Sequence, residues 1–98
     1  MKHIVMWTLK NEYKGKNKQQ LASELKSRLL VLKTVILQIK NIEVGINAIN
    51  HTKNHDIVLI TEFNNTEDLA VYSKHPEHLK VVEFVKNIAT DRAAVDYL

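Results

Sequence analysis

Apolar positions along the chain follow two different periods, and the changes of period divide it into strands and helices. Residues 3–9 are apolar on both faces and rich in β-branched and aromatic side chains, which predicts a buried strand. Residues 41–48 alternate strictly between apolar and polar side chains, which predicts a strand with one buried face. Residues 56–63 are again apolar on both faces, and residues 92–98 alternate, so two more strands are predicted there.

A first helix is predicted between the first two strands, after a polar loop over residues 10–17. Asn17 is a good N-cap residue, and Gln20 follows it at the spacing of a capping box. The helix is expected to run to about residue 38. Its apolar positions recur in steps of four and three and form one stripe: Leu21, Leu25, Leu29, Leu32 and Ile36.

The second helical region contains the only proline of the chain. A helix capped by Asn65 or Thr66 is predicted to end near Lys74. Pro76 disrupts a helix interior but is favoured in a first turn, so a second helix is predicted from Glu77 to about Ala89. The positions expected to face the core are Leu79, Val82, Val85 and Ile88.

The predicted order of elements is β-α-β-β-α-β, the ferredoxin-like α+β fold, in a single domain over residues 1–98. Right-handed crossovers give an antiparallel four-stranded sheet in the order 4-1-3-2, with both helical regions on one face. The other face, carrying Val5, Trp7 and Leu59, would be exposed to water in a monomer. Because apolar patches of that size are uncommon on monomers, we predict a homodimer that forms through the sheet faces.

Composition narrows the function classes. The chain contains no cysteine, which excludes disulfides and thiolate metal sites. The net charge is +3, but the lysines around Gly15 lack the arginines and interleaved aromatic residues of a nucleic-acid surface. No apolar run approaches the ~20 residues of a membrane helix, and no signal peptide is recognisable. A cytoplasmic protein without nucleic-acid or membrane partners is expected.

Candidate chemistry is concentrated in residues 72–79, which surround the proline break. A histidine acts as a general base near neutral pH, and a tyrosine hydroxyl can polarise a carbonyl or stabilise an enolate. His78 and Tyr72 could perform these two roles together. The alternative is that His75 and His78 cap the helices and bond the backbone groups freed at Pro76.

Several motifs occur here in one order: His-Ile-Val-Met-Trp at the start, Val-Gly-Ile-Asn, Tyr-x-x-His-Pro-Glu-His-Leu, and Val-Asp-Tyr at the end. Together they resemble the stress-responsive dimeric α/β-barrel (Dabb) family over essentially the whole chain. The resemblance implies a homodimeric barrel with a cavity between sheet and helices in each subunit. One plant member is a polyketide cyclase, and its catalytic roles would fall here on Tyr72 and His78. Residues 18–40 lack the aromatic side chains that line the cyclase pocket.

The candidate catalytic residues are therefore His78 and Tyr72. The candidate ligand-binding residues are His3, Val5, Trp7, Leu59 and His75. No metal site is expected, because the histidines and carboxylates around Pro76 cannot all converge and no His-x-x-x-His pair exists.

Three functions remain open from the sequence. The first is a dimeric barrel that binds a small hydrophobic or carbonyl-containing molecule, with no assigned activity. The second is an enzyme without a cofactor, of the cyclase/lyase or monooxygenase kind. The third is a structural stress protein whose cavity is filled by side chains. We favour the first, because a shared fold does not by itself select a chemistry.

Overall fold

The computed structural model describes residues 1–98 and has the predicted β-α-β-β-α-β order, with one added hairpin. Its elements are β1 (Lys2–Leu9), β2 (Glu12–Tyr13), β3 (Lys16–Asn17), α1 (Lys18–Val35), β4 (Asn41–Ile46), β5 (Ile57–Glu62), α2 (Thr66–Lys74), α3 (Pro76–Ile88) and β6 (Ala89–Tyr97). None of the three helices combines the length and apolar character needed to cross a membrane.

Four strands form one antiparallel sheet in the order β4-β5-β1-β6. This confirms the predicted order, with β1 and β5 in the centre. The register between β1 and β6 pairs His3 with Asp96 and Trp7 with Arg92, so these four side chains belong to the same face of the sheet. The edge strand β6 begins at Ala89, directly after α3 and three residues before the predicted start.

Helix α1 begins with the predicted capping box. The Asn17 side chain accepts the Gln20 backbone N–H at 2.9 Å, and the Gln20 side chain accepts the Asn17 N–H at 2.9 Å. The leucines of the predicted stripe are buried against the sheet. The helix ends at Val35, because Ile36 adopts an extended backbone conformation and packs its side chain into the core.

Residues 12–17 form a short hairpin where the sequence predicted only a polar loop. Strands β2 and β3 pair, and Lys14 and Gly15 form the two-residue turn between them. Both turn residues have positive φ, 49° and 81°, as a type I′ turn requires. The hairpin sequence signal is weak, because lysine rarely occupies the first of these positions.

The proline break is present where it was predicted, and His75 serves both helices. Its backbone closes α2, while its Nδ1 accepts the Glu77 N–H at 3.1 Å as the N-cap of α3. Helix α3 directs His78, Val81, Val82 and Val85 inward, at the spacing of one helical face. Leu79 lies about 100° further round the helix and is 52% exposed, so its predicted core position is wrong.

The predicted exposure of Val5, Trp7 and Leu59 is also wrong. They are 2%, 6% and 2% exposed and lie on the face covered by the helices. Because β1 and β5 are apolar on both faces, their patterns do not indicate which face the helices cover.

The uncovered face of the sheet is nevertheless apolar. We call it the open face. Its side chains on the central strands are Ile4, Met6, Val58 and Ile60, all partly exposed in the single chain. On β6 the same face carries Val95, which pairs with Ile4 and is 53% exposed.

Candidate functional site

A cavity of about 650 Å³ lies between the sheet and the two C-terminal helices. Helix α3 and the strands β1 and β6 supply most of its walls. Its middle is apolar, and polar side chains concentrate towards its two ends. The lining residues are His3, Val5, Trp7, Leu29, Leu59, Tyr72, Ser73, His78, Val81, Val82, Val85, Lys86, Ala89, Thr90, Asp91 and Arg92.

Tyr72 places a buried hydroxyl at one end of this cavity. The residue is only 1% exposed, and its ring packs 5.2 Å from the Phe63 ring. The hydroxyl has no hydrogen-bond partner, and it is the only buried side-chain polar atom without one. Burial raises the pKa of the Tyr72 phenol, so the group stays protonated. It is therefore an unpaired hydrogen-bond donor within the wall of the cavity.

His78 stands beside Tyr72, with ring centroids 4.2 Å apart. Its Nδ1 lies 3.1 Å from the Ser73 carbonyl oxygen, which can only accept, so Nδ1 carries the proton. The other ring nitrogen, Nε2, then has its lone pair free when the imidazole is neutral. Burial lowers the pKa of His78 by more than the hydrogen bond to the Ser73 carbonyl raises it, and the neighbouring His3 and His75 lower it further. The net lowering favours the neutral form. The ring is thus prepared to accept a proton.

His3 completes this end of the cavity from the first strand. Its ring centroid is 6.1 Å from that of Tyr72, in an edge-to-face arrangement. The Asp96 carboxylate, opposite His3 on β6, accepts a hydrogen bond from His3 Nδ1. Since the carboxylate is the acceptor, this bond fixes both the orientation and the tautomer of the ring.

The structure brings together most of the residues predicted for the site. Six line the cavity: Tyr72, His78, His3, Val5, Trp7 and Leu59. His75 lies outside the lining and caps α3 instead. Of the two roles considered for the histidines beside Pro76, helix capping applies to His75 and a place in the cavity wall applies to His78. His75 is a cap, whereas His78 bonds a backbone carbonyl and also faces the cavity.

Sequence reasoning missed the far end of the cavity, which is lined by Lys86, Thr90, Asp91 and Arg92. The available signal was the alternation in β6, which places Arg92 on the same face as Asp96. The strand pattern alone did not reveal that this face forms a wall of the cavity.

Two other possible sites lack comparable features. A depression of about 420 Å³ at one end of the open face includes Met6, Gly45 and His55, but no buried polar side chain there is left without a partner. No group of three or more His, Asp or Glu side chains is placed to hold a metal ion.

The whole chain, residues 1–98, matches the model of the stress responsive A/B barrel domain. The chain belongs to the Dabb family. This match and the βαββαβ topology agree with the sequence motifs that suggested the family. Among curated proteins, none matches this Dabb chain.

Solved structures similar to this Dabb chain share its fold over nearly its full length. A dimeric protein of unknown function with a ferredoxin-like fold from Bacteroides fragilis is 33% identical, with a TM-score of 0.85 over 98% of this chain and 92% of its own. A dimeric ferredoxin-like protein of unknown function from Thermobifida fusca is 19% identical, with a TM-score of 0.83 over 98% and 87%. Hydroxynitrile lyase from Passiflora edulis is 15% identical, with a TM-score of 0.80 over 98% and 89%.

Proposed function

We propose that this Dabb protein is a homodimeric barrel that binds a small, largely apolar carbonyl compound in the cavity beside His78. One observation carries the proposal: the Tyr72 hydroxyl is buried in the cavity wall without an acceptor. Leaving a buried donor unpaired costs roughly 1–3 kcal/mol, so such groups are rare in folded proteins. A ligand oxygen that accepts this hydrogen bond would recover that free energy.

The walls around Tyr72 and His78 support the apolar part of the ligand. Val5, Trp7 and Leu59 contribute from the sheet, and Val81 and Val85 from α3. A cavity lined this way, with few convergent polar groups, is typical of small-molecule sites. Its volume of about 650 Å³ weighs against the third hypothesis, in which side chains fill the space.

The first test is NMR titration of the five histidines with a library of ketones, aldehydes and aromatic compounds. We expect His78 and His3 signals to move with carbonyl compounds while His51, in the exposed β4–β5 connection, stays unchanged. Tyr72→Phe should weaken binding by roughly tenfold, the effect of one buried hydrogen bond. Tyr97→Phe, on the exposed edge strand, is the matched control.

Two outcomes contradict the proposal. One is that no carbonyl compound moves His78 at millimolar concentration. The other is that Tyr72→Phe and Tyr97→Phe bind every compound equally well. In the second case the Tyr72 hydroxyl has no part in recognition.

The geometry also favours a second function, proton transfer at a carbon next to a carbonyl. His78 is neutral, and its Nε2 lone pair is free because Nδ1–H is used by Ser73. His78 would take the α-proton, Tyr72 would donate a hydrogen bond to the enolate oxygen, and the proton would return to the product. No cofactor enters this sequence.

The enzymatic hypothesis is tested by exchange of α-hydrogens of bound ketones in D₂O, followed by ¹H NMR. We expect exchange above the buffer rate with the wild type and loss of at least about 100-fold with His78→Asn, the scale of general-base catalysis. If His78→Asn exchanges at the wild-type rate, binding remains but catalysis by His78 does not.

The homodimer is proposed to form through the open face of the sheet. This face presents Ile4, Met6, Val58 and Ile60 without cover in the single chain. The dimeric state of the Bacteroides fragilis protein, at 33% identity, supports self-association. The cavity lies on the opposite side of the sheet, so each subunit would contain a complete site.

A further inference from the structure

We infer that the ligand carries an anionic group, most suitably a carboxylate, that binds Arg92 at the end of the cavity remote from Tyr72. The inference rests on the proposed binding function and specifies the ligand class of the same site. It is based on the positively charged side chains at one end of the cavity, which form no strong ion pair within the chain.

Arg92 is the main group at this end. It lies opposite Trp7 on the helix-covered face of the sheet and lines the cavity. Its guanidinium makes no ion pair and no hydrogen bond within the chain, whereas most other cavity polar groups are engaged. A guanidinium presents a planar pair of donors that matches a carboxylate.

The neighbouring charges leave this end positive. Lys86 lines the cavity on α3, and its only acidic contact is an exposed one with Glu83 at 3.9 Å. Asp91 also lines this end, but it pairs with Thr8, so its side chain belongs to the opposite face of the sheet from Arg92. Its carboxylate accepts the Arg92 backbone N–H at 2.9 Å. Two cations therefore line this end, and neither forms an ion pair with the Asp91 carboxylate. The opposite end has no comparable excess, because Asp96 is paired with His3 there.

The distance between the two ends of the cavity is about the same when it is measured along α3 and along β6. Lys86 follows His78 by eight positions on α3, about 12 Å at the helical rise of ~1.5 Å per residue. Asp96 follows Arg92 by four positions on β6, about 13 Å at ~3.3 Å per residue. Since α3 and β6 are antiparallel, His78 lies near Asp96 and Lys86 near Arg92. The ligand would thus have a carbonyl, an apolar middle and a terminal anion.

The test uses methyl-ketone carboxylic acids from 5-oxohexanoic to 11-oxododecanoic acid, each paired with its methyl ester. The ester keeps the ketone and the chain but has no charge. Binding is measured by calorimetry at low salt and by the His78 NMR signal. We expect one chain length at which the acid binds the wild type about tenfold more tightly than its ester, the scale of one partly exposed charged hydrogen-bond pair.

Variants assign that preference to a residue. Arg92→Gln should remove the preference for the acid, because it lowers acid affinity much more than ester affinity, and Arg92→Lys should restore part of the preference. Lys33→Gln, which removes an exposed charge on α1 outside the cavity, should leave the preference intact. A role of Arg92 in stability alone would lower the affinities of acid and ester together.

The outcomes separate this inference from the proposed function. If acid and ester bind equally and both move His78, the cavity binds ketones but the anion site is wrong. The same conclusion follows if the acid preference survives Arg92→Gln, or if the variant weakens both compounds equally. If no acid or ester binds at any length, the proposed function fails together with the inference.

Discussion

Tyr72 combines deep burial with an unused hydrogen-bonding group, and this combination links ligand binding to stability. A core phenylalanine would fill the same space without the desolvation cost of the hydroxyl. The side chain is therefore better explained by what enters the cavity than by the packing of the empty protein.

Tyr72→Phe is predicted to stabilise the free protein by about 1 kcal/mol, because it removes a buried donor that has no partner. Urea unfolding with and without a bound ketone provides the measurement. Tyr13→Phe, in the β2–β3 hairpin away from both the cavity and the open face, should leave stability within about 0.5 kcal/mol. A loss of 1 kcal/mol or more on Tyr72→Phe would mean that the hydroxyl is satisfied in solution, which contradicts the basis of the ligand proposal.

His78 is predicted to make stability fall with decreasing pH. Burial lowers its pKa in the folded state, so the unfolded chain binds a proton first as the pH falls below about 6.5. Above that pH both states are neutral at this residue and it contributes no pH dependence. Below it, stability decreases until the pH passes the folded-state pKa.

His78→Asn should reduce this slope, since the amide cannot titrate but can still donate to the Ser73 carbonyl. Free energies of unfolding near pH 5 and near pH 7.5 provide the comparison. His51→Asn, in an exposed turn, is the control. Equal pH slopes for the wild type and His78→Asn would show that His78 is not desolvated in the folded state.

At the scale of elements, the α2–α3 junction depends on His75 rather than on Pro76 alone. The imidazole Nδ1 accepts the first free N–H of α3, at Glu77. Proline occupies the first turn, where it has no N–H to leave unsatisfied. The cap also sets where α3 begins, and hence which of its side chains face the cavity.

His75→Ala is predicted to cost about 1 kcal/mol of stability, the usual cost of losing an N-cap, whereas His75→Asn should retain most of it. Chemical denaturation of the two variants checks this. Ligand affinity should remain near wild type in both, because His75 does not line the cavity. Equal stability of His75→Ala and the wild type would contradict the capping role.

Helices and strands were predictable from the sequence wherever a local pattern is compatible with only one structure. The capping box at Asn17 and the break at Pro76 are local signals, and both are present in the structure. The orientation of β1 was not predictable, since Val5 and Met6 are equally apolar neighbours on opposite faces. Only the packing of the helices distinguishes them.

The candidate site was partly predictable for a related reason. Tyr72 and His78 lie close together in sequence on either side of a visible break. Arg92 reaches the same cavity through strand pairing with Trp7, a long-range contact that the local pattern does not encode. The cationic end of the cavity therefore needed the sheet register to be found.

For the whole molecule, one substitution tests the proposal that two subunits associate through the open face. Ile4→Lys would place a charge in the centre of that face, between Ile60 on β5 and Val95 on β6. We expect the dimer dissociation constant to rise by about 100-fold, because an ammonium group would be buried without a partner. Light scattering during size-exclusion chromatography measures the mass.

Leu79→Lys is the matched control, since Leu79 is an exposed apolar residue on the helical side. It should leave the dimer intact. If Ile4→Lys remains dimeric while Leu79→Lys becomes monomeric, the subunits associate through their helices. If both remain dimeric, the interface lies elsewhere, and the open face needs another explanation.

Helix α3 passes into β6 without a loop, so one uninterrupted stretch, residues 76–97, supplies more than half of the cavity lining. Removing one residue from α3 would turn the preceding helical positions by about 100° relative to β6. We therefore expect that exchanging residues 76–97 alone changes which ligand the cavity prefers. Helix α1 and the central strands would keep their sequences in such an exchange. Residues 76–97 are therefore the segment to exchange when chimeras between Dabb proteins are made.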